Sequence, residues 1–256
     1  MALAFVCTTD QCSTLLAVVD TLSSILADVL LFVSNAGIKI GQLDGKSNSL
    51  VHLSLSSEGF KSFQAVGSHR VGVSFTSLLK ILKTVKNANE ITLLQHDTSY
   101  LEVRAVLPDR HVIHKVSTLD LEQNFVPFPD KAYEIKTEFT TAKLQDALRT
   151  MSPLAESVSI HVPPSHIPRK YLELRAKGSF TEESVIFKHG EFFQLHQRNH
   201  TDSCVGTFHV KTLVQAAKCV HLNKKVHVLL SHELPLILQY ALTDAWSLTF
   251  AVAQLD

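Results

Sequence analysis

Leu78-Leu79-Lys80-Ile81-Leu82-Lys83-Thr84-Val85 has a counterpart 135 residues further on, Leu213-Val214-Gln215-Ala216-Ala217-Lys218-Cys219-Val220. Apolar positions fall on apolar positions, and Lys83 falls on Lys218. The same shift lays Ile91-Thr92-Leu93-Leu94 on Val226-His227-Val228-Leu229, and Leu101 and Val103 on Leu236 and Leu238. Upstream, a shift of 129 superposes Leu15, Val19, Leu22, Val29, Leu31 and Val33 on Leu144, Leu148, Met151, Val158, Ile160 and Val162. The drift between the two shifts amounts to a few inserted residues, which loops absorb. The chain is written twice, and two like halves point to a symmetric scaffold rather than a pocket enzyme.

Each half follows one plan. In the first, Thr8-Thr9-Asp10 offers caps for a helix whose Leu15, Val18, Val19 and Leu22 keep helical spacing. Strands are expected at Val29–Val33, Gly37–Ile40 and Leu50–Leu55. A second helix carries Phe75, Leu78, Leu79, Leu82 and Val85 on one face, and strands follow near 90–94 and 100–107. The alternation Leu101-Glu102-Val103-Arg104-Ala105 is the period of a half-buried strand. In the second half, one helix uses Leu144, Ala147, Leu148 and Met151, and the other Val210, Leu213, Val214, Ala217 and Val220. Strands are expected near 157–162, 171–176, 184–188, 226–230 and 236–242. Residues 1–117 and 135–256 therefore read as two α+β domains joined by a connector over 118–134. The connector's Pro127 and Pro129 block ladder pairing. Its Phe125, Val126 and Phe128 suit either a docking surface or packing against a domain.

Composition narrows the function. The 256 residues carry 24 basic and 24 acidic side chains, so only local clustering of charge could attract a polyanion. Four scattered cysteines, Cys7, Cys12, Cys204 and Cys219, form no Cys-x-x-Cys pair and read as reduced, buried thiols. Asp20 and Asp28 interrupt the apolar stretch Leu15–Val33, which argues against a membrane span. Residues 1–10 lack the basic start of a signal peptide. His111 and His114 would face opposite sides of a strand, and His189, His196 and His200 scatter through a polar loop. There is no glycine-rich phosphate loop, no nucleophile elbow and no zinc-protease motif. The expectation is a protein with no enzymatic activity, no cofactor and no metal.

The helices are where charge gathers. On a wheel of 100° per residue, Lys80 and Lys83 lie opposite the apolar strip of the second helix, and Lys86 follows one turn on. Arg149 centres the polar face of the third helix, with Lys143 at its margin. Lys211 and Lys218 fall nearly in register on the fourth. Such faces can track phosphates without reading bases. The first helix departs from this pattern: its polar side has Asp10, Ser13, Thr14, Asp20 and Thr21 and no base.

These residues resemble a family, the eukaryotic-type sliding clamps typified by proliferating cell nuclear antigen. The resemblance rests on Leu53-Ser54-Leu55-Ser56-Ser57-Glu58-Gly59-Phe60, on Gly72 through Lys83, on Ile91-Thr92-Leu93, on Asp120-Leu121-Glu122 through Phe128-Pro129, and on Leu234-Pro235-Leu236. It implies a DNA clamp fold of two tandem domains, each with two helices on curved antiparallel sheets. Three chains would close head-to-tail around duplex DNA, tethering a polymerase and other replication proteins in the nucleus. It implies a DNA-facing set of Lys80, Lys83, Lys86, Lys143, Arg149, Lys211 and Lys218. It implies a pocket for short partner peptides at Leu43, Leu50, Val126, Phe128, Pro129, Pro235 and Ala253. Subunit contacts would come from edge strands carrying Val112, Ile113, His114 and Val116 on one side and Val185, Ile186 and Phe187 on the other. The chain departs from the family in its neutral charge and baseless first helix, in Pro127 and Ala251, and in Pro163-Pro164-Ser165-His166 where a modifiable lysine is usual. This is the profile of a divergent, viral or otherwise specialised member. Two alternatives stand beside the homotrimeric clamp: a monomeric or dimeric factor that holds DNA by charge, and a subunit of a heteromeric checkpoint-type clamp.

Overall fold

The computed structural model describes residues 3–46, 48–96, 98–128, 131–198 and 203–255. The chain divides into two compact units. One comprises Met1–Gly45, Val51–Pro127 and Ala241–Leu248; the other comprises Lys46–Leu50, Phe128–Tyr240 and Thr249–Asp256.

Along the first half run β1 (Phe5–Thr9), α1 (Cys12–Ser23), β2 (Asp28–Ser34), β3 (Gly37–Leu43), β4 (Ser49–Ser56), β5 (Ser62–Ala65), β6 (His69–Ser74), α2 (Phe75–Thr84), β7 (Glu90–Gln95), β8 (Tyr100–Val106) and β9 (His111–Ser117). The second half repeats the order with β10 (Ile135–Thr140), α3 (Thr141–Met151), β11 (Ser157–Val162), β12 (Tyr171–Lys177), β13 (Glu182–Lys188), β14 (Phe193–Arg198), β15 (Cys204–His209), α4 (Val210–Ala216), β16 (Lys225–Leu230), β17 (Leu236–Ala241) and β18 (Trp246–Val252). Pairing repeats as well. The strand orders β5-β1-β7-β8-β9 and β4-β3-β2-β6 recur as β14-β10-β16-β17-β18 and β13-β12-β11-β15. β1 lies antiparallel between β5 and β7, as β10 lies between β14 and β16.

Apolar periodicity drives this arrangement. On α1, Cys12, Leu15, Val18, Val19 and Leu22 are buried, and the helix packs against α2, which buries Phe75, Leu78 and Leu82. Burying Leu22, which has no exposed surface, contributes about 1.5–3 kcal/mol. α3 buries Leu144, Ala147, Leu148 and Met151 and packs against α4. In the first unit Trp246 is buried against Phe60, and its indole N–H donates to the Ser56 carbonyl at 3.2 Å.

The structure corrects three expectations about the helices. Thr8 and Thr9 end β1 rather than cap α1; Thr9 Oγ1 accepts the Gln11 N–H at 3.0 Å, and Gln11 takes the N-cap position without a side-chain bond. Lys86 lies beyond α2, which ends at Thr84. Likewise α4 stops at Ala216, whose carbonyl accepts the Tyr240 hydroxyl at 2.9 Å, and the chain tightens into a 3-10 turn at Cys219–His221. Lys211 and Lys218 therefore share no helical face, and Thr212 is buried where Val214 was expected.

β4 and β18 each contribute residues to both units. In the first unit the Ser56 N–H donates to the Ala245 carbonyl at 3.3 Å, and in the second the Ala253 N–H donates to the Asn48 carbonyl at 2.9 Å. Their counterparts by position are β13 and β9. Among the described residues, β9 pairs only with β8 and β13 only with β12.

Candidate nucleic-acid and partner interfaces

Lys80, Lys83, Lys86, Lys143, Arg149, Lys211 and Lys218 are all exposed. On α2, Ser74 Oγ accepts the Ser77 N–H at the N-cap, and Lys83 occupies the last turn, where the helix dipole favours a cation. Lys83 is not a bare charge. Its Nζ lies 2.9 Å from Asp20 Oδ1 on α1, with both side chains more than half exposed. The acidic face read on α1 thus has a consequence: it neutralises a base on the neighbouring helix. On α3, Lys143 Nζ sits 5.2 Å from the centre of the Phe192 ring, Arg149 stands in the last turn, and the exposed Asp146 lies between them in sequence.

The residues matched to the peptide pocket fall in both units. In the first, Leu43 ends β3 and is exposed, while Val126 is half-buried and donates its N–H to the Gly41 carbonyl at 2.9 Å. In the second, Leu50 is buried, Phe128 is half-buried, and Ala253 is exposed. The Pro235 carbonyl there accepts the Tyr133 hydroxyl at 3.0 Å. Pro129 lies outside the described residues.

The connector's first stretch is strapped to the first unit, an arrangement the sequence reading left open. Leu119 bridges to Gly72, and the Arg70 guanidinium donates to the Gln123 carbonyl at 3.3 Å and to Asn124 Oδ1 at 3.1 Å. Phe125 packs edge-on to Phe32 and His52, with ring centres 5.2 and 5.6 Å away. Two glycines allow the close approach: a Cβ on Gly72 would meet Leu119 O at 2.1 Å, and one on Gly41 would meet Val126 O at 2.5 Å. Burial first, and the charge of Lys39 second, hold the His52 imidazole below its usual pKa, so at neutral pH it stacks as an uncharged ring.

Residues matched to subunit contacts lie on β9 and β13. Val112, His114, Val185 and Phe187 are half-buried and Val116 is buried, whereas Ile113 and Ile186 are 60% and 53% exposed. Exposed isoleucines on bare sheet edges are what another strand would cover. Elsewhere, among the described residues, no group of three or more His, Cys, Asp or Glu could hold a metal ion. His114 Nε2 lies 3.3 Å from Thr84 Oγ1, and His189 Nδ1 accepts the Leu195 N–H, while His200 and Asp202 fall outside the described residues. Cys7, Cys12 and Cys219 are free and buried, and desolvation pushes the Cys7 thiol up to about 12. No helix of the described residues is long and apolar enough to cross a membrane.

A duplicated β-α-β fold with two helices per half, exposed cations on those helices and bare edge strands defines the class of DNA sliding clamps. The family model for the N-terminal domain of proliferating cell nuclear antigen matches residues 5–124, and that for its C-terminal domain matches residues 127–255. The chain belongs to the proliferating cell nuclear antigen family and is a DNA polymerase processivity factor. It is 24% identical over 249 residues to the proliferating cell nuclear antigen of Chaetomium thermophilum, covering 95% of each chain. To the protein named "Probable DNA polymerase sliding clamp 1" of Paramecium bursaria Chlorella virus 1 it is 24% identical over 238 residues, covering 91% of this chain and 90% of that one. The crystal structure of the antigen from Entamoeba histolytica superposes with a TM-score of 0.89 at 22% identity over 100% of both chains, a likeness of fold.

Proposed function

We propose that the chain works as a closed ring of three copies that encircles duplex DNA and slides along it in the nucleus. One observation carries the reading. Main-chain bonds join the ends of β4 and β18 within each unit, while among the described residues their positional equivalents β13 and β9 each pair on one side only. Pairing β9 of one copy with β13 of the next would satisfy both edges. That contact is head-to-tail, so repeating it gives a ring if the rotation closes. Three chains of two modules would set six similar modules around the hole. In this reading Lys80, Lys83, Lys86, Lys143, Arg149, Lys211 and Lys218 line the hole and meet phosphates without base contacts. Partner peptides carried by a polymerase and other replication proteins would dock at Leu43, Leu50, Val126, Phe128, Pro129, Pro235 and Ala253, along the connector of residues 118–134. Apolar pockets of this kind accept the anchors of a short amphipathic helix.

Sedimentation equilibrium tests the ring. The expected species is near three times 28.4 kDa. Ile113→Asp in β9 and Ile186→Asp in β13 should each reduce it to smaller species while leaving the fold intact by circular dichroism. A wild-type chain that stays monomeric at micromolar concentration would exclude the ring.

A further inference from the structure

On strands β2, β3 and β6, beside the connector, lies a cavity of about 380 Å³ that none of the functions above uses. Cross-strand register builds its floor. Phe32 on β2 pairs with Arg70 on β6 and with Lys39 on β3, so one aromatic ring is flanked on both sides by cations. The Arg70 carbon bearing the charge stands 5.4 Å from the Phe32 ring centre, and the side chain is held by its bonds to the connector. Phe125 walls one side, and His69 on β6 also lines the cavity. Neither Lys39 nor Arg70 faces a carboxylate in any ion pair among the described residues, and Lys39 is exposed.

The chemistry is specific. A floor of aromatic carbon between two unneutralised cations favours a ligand that brings an anionic group on an apolar backbone. The duplex is not that ligand. The basic helix of this unit, α2, packs on β2 and β6 from the opposite face, where Leu31, Val71 and Val73 are buried. We propose that this cavity is a second docking site, for an acidic peptide segment whose carboxylate sits between Lys39 and Arg70 over Phe32. The segment lies along the strapped connector. The site is independent of the pocket assigned around Phe128. It gives partners with acidic flanks an added hold and rejects basic ones by like-charge repulsion.

The test uses a rhodamine-labelled peptide of about eight residues alternating glutamate and valine, read by fluorescence anisotropy against the full chain. Surface charge complementarity of this kind changes affinity by about five-fold. The acidic peptide should bind wild type and Phe128→Ala alike, bind Lys39→Glu about five-fold more weakly, and lose affinity as salt rises. A version with lysine in place of glutamate should bind wild type at least about five-fold more weakly than the acidic one. Lys39 is exposed, so its replacement spares the fold. The site is overturned if the acidic peptide binds Lys39→Glu as tightly as wild type, if the lysine version binds equally well, or if no binding is seen at about 1 mM protein, the weak limit of specific association. Equal loss in Phe128→Ala would move the peptide to the other pocket and also overturn the site. A failure of the Phe128 pocket itself would show instead as unchanged affinity of an aromatic-anchored peptide for Phe128→Ala.

Discussion

Asp20→Asn is the perturbation that most directly questions the charged helix surface. Asp20 Oδ1 and Lys83 Nζ are 2.9 Å apart across α1 and α2, with side chains 55% and 58% exposed. A pair so exposed contributes only about 0.2–1 kcal/mol to stability, so the variant should fold normally. Its effect on DNA should be larger. Removing the carboxylate frees Lys83 for phosphate and deletes a repelling charge. Each added phosphate contact steepens the dependence of log K on log salt by about 0.9. One contact per ring therefore changes the slope by about 0.9, and three by up to about 2.7. Between about 50 and 200 mM salt, a single contact corresponds to a further loss of roughly three- to four-fold in affinity. The assay is anisotropy of a labelled linear duplex across that salt range, with Lys83→Gln as the opposing control. Wild type should lie between a steeper Asp20→Asn and a Lys83→Gln that is no steeper than wild type. Identical slopes for all three would refute the assignment of Lys83 to the DNA surface. A stability loss well above about 1 kcal/mol would instead make the pair structural.

Other outcomes follow from the packing and the buried charges. Leu22→Ala empties a fully buried position on α1 and should cost about 2–5 kcal/mol in urea unfolding; a loss below about 1 kcal/mol would mean the α1–α2 contact is not a tight core. Gly72→Ala puts a Cβ 2.1 Å from Leu119 O, so protease cleavage of the connector should speed up several-fold, about what release of one local strap gives. Glu173 is held below the usual carboxylate range chiefly by the Arg175 guanidinium at 2.7 Å, helped by Ser184, while burial opposes the shift. Its folded pKa is thus lower than its unfolded one, so its contribution is present above the ordinary carboxylate range and lost as pH falls through the folded value. Urea midpoints measured against pH should fall less steeply on the acid side in Glu173→Gln than in wild type.

How much of this was legible in the residues depends on which face a strand turns to water. The buried stripes of α1, α2 and α3 follow their apolar spacing, and strands such as β2, β8 and β11 keep clear apolar signals. β1 and β10 do not, although each lies between two partner strands. In β1 the inward positions are Phe5, Cys7 and Thr9, and the threonine reads as a cap. In β10 the inward Thr137 satisfies its hydroxyl on the Val228 carbonyl at 3.0 Å, a polar core residue that interrupts the apolar pattern. β14 alternates Phe193 and Leu195 inward, and that period was available in the sequence. The wheel on α4 failed for a tertiary reason: Tyr240, from a distant strand, takes the Ala216 carbonyl and ends the helix. The Lys83–Asp20 pair and the Arg70-Phe32-Lys39 row join residues from separate elements, so no local spacing announces them.

The central claim is that grip on DNA is topological, and retention on closed against cut DNA tests it most directly. The clamp is loaded on a nicked circular duplex, washed at about 1 M salt, where counterion competition strips charge-held proteins, and the circle is then cut once with a restriction enzyme. A ring should stay on the circle through the wash and leave within minutes of the cut by sliding off an end. Loss from the circle during the wash, or equal retention before and after the cut, would mean that charge and not encirclement holds the protein to DNA.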